Sequence, residues 1–211
     1  MLEVASIHVP KAGGTSFLGV LGAWYGEDLS WFYRCAGRID PILPWTRCVH
    51  GHFNADFLAA RRRITWMRDP ARRAVSHFYY WRATPPVAII DPLHLDVLAG
   101  RISLLEFAAH PEIRNLHTAY YGASTVADFD FIGIMEHQDS EMQRLAHILD
   151  KPVLSLPRDN VTRSEEYAAF KASPEFDETV AAIRQLNLRD QAFYDKACAA
   201  REEWVSLSSA A

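Results

Sequence analysis

Apolar residues in this chain come in short unbroken runs separated by stretches of helical period. Val4 to Val9 reads as a buried strand, and from Thr15 to about Tyr25 the residues Phe17, Leu18, Leu21 and Trp24 recur at helical spacing. Residues 26 to 46 are aromatic and punctuated by proline, which predicts an irregular excursion, before a short strand over Arg47 to His50. Asn54 is placed to cap a helix over Ala55 to Ala60. Arg63 to Met67 is a second core strand. After it Asp69 stands at an N-cap and Pro70 at a first helical position, so a helix boundary lies between Arg68 and Pro70. Residues 93 to 120 read as helical pieces broken by Gly100 and Pro111, Asp128 to His137 as a third strand, and Ser140 to Asp150 as an amphipathic helix. The loop LPRDNVTRS then leads into helices over about 165–172, 174–186 and 189–204.

Strands alternating with helices pair in parallel through crossover connections, so the expected fold is a layered α/β domain with a central, mainly parallel sheet flanked by helices. Ligands of such sheets sit beyond the carboxyl ends of the strands, which is where PKAGGTS, HGH and RDP all fall.

Composition narrows the class without choosing a function. The chain has 211 residues, 49% hydrophobic and 23% charged, with no repeat or break in composition, and is read as one domain over 1–211 whose part from about 164 to 204 is helical. A net charge of −4 is against nucleic-acid coating. Cys35, Cys48 and Cys198 are far apart and form no C-x-x-C pair, so no metal site is expected. No apolar run reaches the ~18 residues of a membrane span, and the N-terminus lacks a basic segment followed by an apolar one, so the expected location is cytoplasmic.

The chemistry concentrates in two strand-to-helix turns. In IHVPKAGGTSF, Gly13 and Gly14 allow backbone angles closed to other residues, so successive N–H groups can converge on one anion. Thr15 and Ser16 add hydroxyl donors at a helix N-terminus that already favours negative charge. Lys11 supplies a full charge ahead of the glycines, whereas the usual triphosphate loop, G-x-x-x-x-G-K-[ST], has its lysine after them. In RDPARRAVSHFYYW, Arg68 ends a strand, and Arg72, Arg73 and Ser76 are expected on one basic face of the next helix.

HVPKAGGTSF and RDPARRAVSHFYY together resemble the sulfotransferases that use 3′-phosphoadenosine 5′-phosphosulfate (PAPS), in the branch of the heparan sulfate 2-O- and 6-O-sulfotransferases and their small bacterial relatives. HGHF, FDFIGIMEH and LPRDNVT extend the likeness over about residues 7 to 163. The resemblance implies a three-layer, P-loop-like α/β fold. By motif position it makes Lys11, Ala12, Gly13, Gly14, Thr15 and Ser16 the loop that holds the 5′-phosphosulfate, and Arg68 and Ser76 the grip on the 3′-phosphate. Asn160 and Arg163 are candidates beside the nucleotide.

Transfer also needs a base. Histidine has an unperturbed pKa of about 6.5, near working pH, and VHGHFN offers His50 and His52 on one face of an extended segment. Comparable segments in the 2-O-type enzymes contain the catalytic base, which points to His52 with His50 supporting. Glu136, at a strand end, is the carboxylate alternative. The resulting expectation is an enzyme moving a sulfuryl group from PAPS to the hydroxyl of a small molecule, lipid or carbohydrate. A nucleotide or small-molecule kinase on a related phosphate-loop fold, or a nucleotide-binding protein without catalysis, is the alternative. Phe78, Tyr79, Tyr80 and Trp81 are divided between an acceptor cleft and the core. Oligomeric state is not legible.

Overall fold

Five short strands form the centre: β1 (Val4–Ile7), β2 (Leu29–Phe32), β3 (Cys48–Gly51), β4 (Arg62–Met67) and β5 (Phe131–Ile134). All neighbours are parallel, in the order β2-β3-β1-β4-β5. The structure is a computed structural model and describes residues 2–33, 42–85, 91–157 and 164–209.

The strands read as continuous apolar runs because both faces of the sheet are covered. Ala5, Ile7 and Val9 join Val49, Met67, Ile132 and Ile134 on one face. On that face lie α5 (Leu116–Tyr121), through Tyr121, and α9 (Leu188–Ser209), through Ala197. Val4, Cys48, Ile64, Trp66 and Phe131 point the other way, towards Phe17 and Leu21 of α1 (Gly14–Tyr25) and Met142 and Leu145 of α6 (Gln138–Leu149). The expected three-layer α/β architecture is therefore present. A third apolar cluster gathers on α2 (Pro70–Ala83), where Ala74, Val75, Phe78 and Tyr79 meet side chains of α3 (Pro92–Leu98), α4 (Leu104–Ala109), α7 (Glu165–Ala172) and α8 (Glu175–Leu186).

Two expectations are corrected. The excursion over 26 to 46 contains β2, whose residues pair along β3 from Leu29↔Cys48 to Phe32↔Gly51. As an edge strand it leaves Trp31 58% exposed, and so lacks the apolar run of a core strand. The helix over Ala55 to Ala60 is a single 3-10 turn, Ala55–Phe57. Asn54 does cap it, its side chain accepting from the Asp56 N–H at 2.8 Å, but Leu58 is already extended and leads into β4. Elsewhere the helical pieces separate where expected, at Gly100 and Pro111. Asp69 caps α2 by accepting from the Arg72 N–H at 2.8 Å, with Pro70 opening the helix.

The sheet places the carboxyl ends of β1, β3 and β4 side by side, so the turns after Ile7, Gly51 and Met67 share one end of the molecule.

Candidate functional site

The turn between β1 and α1 is built to leave donors free. Gly13 is the N-cap residue in a left-handed conformation, φ 77°, with no side chain capping the helix and no acidic residue in its first turn. The first N–H groups of an α-helix lack intrahelical acceptors, so those of Gly14, Thr15 and Ser16 face outward with the positive end of the helix dipole behind them. Gly14 must be glycine for a steric reason: a Cβ there would lie 2.0 Å from Cδ2 of the His8 ring. Lys11 also has positive φ, 67°, a conformation costly for a side-chain-bearing residue, and its ammonium sits 4.0 Å from the centre of the Tyr80 ring. Burial, and secondarily Arg68, push the Lys11 pKa down to about 8. Ala12 goes the other way. It is fully buried in the core, its N–H donates to the Val9 carbonyl at 3.2 Å, and it does not line the cavity.

The β4–α2 turn supplies side chains instead. Arg72, Ser76 and Tyr80 recur every four residues on α2 and reach the cavity as one helical face should, and Arg68, just ahead of the helix, reaches it as well. Arg73 departs from the expected basic face. It is fully buried on the opposite side, donates to the Ile113 carbonyl at 3.0 Å, and has its pKa lowered to about 10 by burial. A one-residue step rotates a helix by about 100°, which separates Arg72 in the cavity from Arg73 in the core. The aromatic run divides in the same way: Phe78 and Tyr79 are core, while Tyr80 and Trp81 line the cavity.

On the far side of β1 from β4, where β1 runs beside β3, lies a stack of three imidazoles. The His8 ring is sandwiched by His50, at 5.3 Å and 11°, and by His52, at 4.5 Å and 23°, and Tyr33 meets all three edge-on. The register explains it. Ser6 pairs with His50, so one step beyond Ile7↔Gly51 brings His8 level with His52 on the α1 face. His50 has both nitrogens engaged, Nδ1 with Ser6 Oγ at 2.8 Å and Nε2 with the Tyr33 hydroxyl at 2.7 Å. It is 1% exposed and does not line the cavity, so neither of its nitrogens is presented to that space. His52 differs. Its Nδ1 lies 2.9 Å from the His8 carbonyl, which can only accept, so Nδ1 carries the proton and Nε2 keeps a lone pair. Burial lowers the His52 pKa to about 4, against the raising effect of that hydrogen bond, and keeps the ring neutral at pH 7.

Lys11, Gly13, Gly14, Thr15, Ser16, His52, Arg68 and Ser76 all open on one cavity of about 1340 Å³. Ligand pockets commonly measure about 300–1,000 Å³, so this one has room for a nucleotide and a second substrate. Glu136 lines it as well, but its carboxylate already accepts from the Asp69 N–H and the Tyr194 hydroxyl, both at 3.1 Å, tying β5, α2 and α9 together. Asn160 and Arg163, like Cys35, lie outside the described residues. Among the described residues no group of three or more His, Cys, Asp or Glu side chains could hold a metal ion. Nor is any helix among them long and apolar enough to cross a membrane.

Sequence reasoning missed His8 and Tyr33. His8 stands inside the glycine-containing loop segment but reads as an ordinary residue of the first strand, and only the β1–β3 register brings it beside His52. Tyr33 sits at the end of the unrecognised strand β2.

No protein-family model matches the chain, and no curated protein matches it. Among solved structures it is similar to a mouse sulfotransferase, SULT7A1, complexed with PAP, at 15% identity over 94% of this chain and 89% of that chain with a TM-score of 0.47. A sulfotransferase from Alicyclobacillus acidocaldarius matches at 11% identity over 88% of this chain and 95% of that one, with a TM-score of 0.37.

Proposed function

We propose that this protein is a sulfotransferase that moves the sulfuryl group of PAPS to an acceptor hydroxyl by in-line transfer, with His52 as the base. One observation carries the reading: the uncapped start of α1 with Lys11, the β4–α2 turn with Arg68 and Ser76, and His52 with its Nε2 lone pair open on a single cavity. These residues suit a donor with anions at two ends. Lys11 and Arg68 are close enough for the arginine to weaken the lysine charge, and an anion between them offsets that repulsion.

The donor supplies an activated sulfuryl group. Thr15, Ser16 and the first N–H groups of α1 hold its non-bridging oxygens, where charge builds during transfer. Lys11 neutralises the bridging oxygen as its bond to sulfur breaks, and Arg68 and Ser76 hold the 3′-phosphate. His52 Nε2 takes the acceptor proton while the new oxygen–sulfur bond forms, and the proton ends on the ring. His50, Ser6 and Tyr33 keep the stack in place, and the carbonyl of His8 keeps the Nδ1–H tautomer of His52. The acceptor is a hydroxyl-bearing small molecule, lipid or carbohydrate, for which Tyr80 and Trp81 add aromatic surface.

Calorimetry tests the class. Adenosine 3′,5′-bisphosphate should bind without magnesium while ATP with magnesium does not; the reverse pattern identifies a kinase. A labelled-sulfuryl screen over sugars, lipids and phenols then finds the acceptor, and in it Lys11→Ala should lose most of its turnover.

A further inference from the structure

His8 has no role in the chemistry above beyond its backbone carbonyl, yet its ring is placed as if it had one. It is 7% exposed, is clamped between the His50 and His52 rings, and lines the cavity. Its Cδ2–Nε2 edge faces the first residue of α1: a Cβ on Gly14 would come within 2.1 Å of Nε2. The opposite nitrogen, Nδ1, is buried and finds no hydrogen-bond partner among the described residues.

A neutral imidazole carries its one proton on either nitrogen, and the two choices here are unequal. A proton on Nδ1 would bury an N–H with no acceptor, the rarer and costlier kind of unsatisfied group. A proton on Nε2 leaves only a buried lone pair and turns the N–H towards the helix start. Protonating both nitrogens is opposed by burial, and then by the neighbouring His52, His50 and Lys11, which hold the His8 pKa well below its usual value. Glycine at position 14 is also explained, since any side chain there would come between the ring and the turn.

We propose that His8 is a neutral hydrogen-bond donor, through Nε2–H, to the anionic group bound at the N-terminus of α1. This inference rests on the sulfotransferase reading for the identity of the anion, but not for the donor itself. His8 and His52 then have opposite tautomers: His52 bears its proton on Nδ1 and offers a lone pair, while His8 bears its proton on Nε2 and offers a donor. The stack thereby presents a base and an electrophile side by side.

Long-range proton–nitrogen NMR on 15N-histidine-labelled protein tests this, with the His8 ring assigned from the His8→Gln spectrum. The expected result is the Nε2–H tautomer in the free protein and a shift of its signal on saturation with adenosine 3′,5′-bisphosphate. Calorimetry should give His8→Phe, which preserves a flat ring in the stack, about tenfold weaker bisphosphate binding. His8→Gln, whose amide can restore a donor, should recover most of that loss. An Nδ1–H tautomer, a signal that does not respond to ligand, or His8→Phe binding within twofold of wild type overturns the proposal. If the wild-type protein binds no nucleotide, the sulfotransferase reading fails separately, and inorganic sulfate titrated against the same NMR signal decides the role of His8: a shift supports it and no shift overturns it.

Discussion

The two strand-to-helix turns of the site solve the same local problem in opposite ways. After β4, α2 is capped by its own Asp69, opened by Pro70 and tied to α8 through an Asp69–Arg184 ion pair at 2.7 Å. Its terminal donor at Arg72 is used internally, and the turn contributes to the cavity by the side chains it projects. After β1, α1 begins at a left-handed glycine with no side-chain cap. A glycine N-cap costs a helix only a few tenths of a kcal/mol against Ser, Thr, Asp or Asn, but it brings no side-chain acceptor. The first turn thus leaves its N-terminal donors without a side-chain acceptor, as the proposed anion site requires, while the second satisfies its own.

That contrast can be broken at several points. The largest effect is expected at the base beside the first turn: His52→Ala should lose roughly 10²–10⁴-fold in turnover while bisphosphate affinity changes little. Wild-type turnover in this variant removes His52 from the mechanism. On the second turn, Arg68→Ala should weaken bisphosphate binding by about tenfold to a hundredfold, the value of a charge-assisted contact, with thermal stability nearly unchanged.

Gly14→Ala drives a methyl group into the His8 ring and should cost about 1–3 kcal/mol of stability together with anion binding. Stable protein with normal binding would show that the ring and the turn are not locked together. The pH profile sharpens the contrast further. In the free enzyme His52 must be neutral and Lys11 charged, so kcat/KM should fall below about pH 4, as His52 gains a proton, and above about pH 8, as Lys11 loses one. The smallest effect belongs to the self-capped turn. Asp69→Ala should cost about 1 kcal/mol or somewhat more, measured by denaturant unfolding, and Asp69→Asn should recover the capping share but not the pairing with Arg184.

Much of this was legible along the chain because it is written locally. The Asp69–Pro70 boundary, the glycine turn, and the Arg68–Arg72–Ser76 periodicity each depend on residues within one or two turns of one another. What failed did so where local signals conflict with tertiary demand. β2 is an exposed edge strand with only four residues, and its pairing partner lies nineteen positions away at Cys48. Arg73 carries the same residue type as Arg72, and only the tertiary packing around α2, where it donates to the Ile113 carbonyl, sends it into the core. His8 and His52 are separated by 44 positions, so nothing near either one announces that their rings will stack.

Taken alone, the amino-acid order determined the layered α/β plan and marked the glycine turn and the arginine-bearing turn, because backbone angles, capping and hydrophobic period act over a few residues. The tertiary structure alone decided which histidine retains a free nitrogen, which arginine meets the cavity, and that both turns face one space. Those outcomes follow from parallel register and burial, and they exist only once distant segments have been brought together.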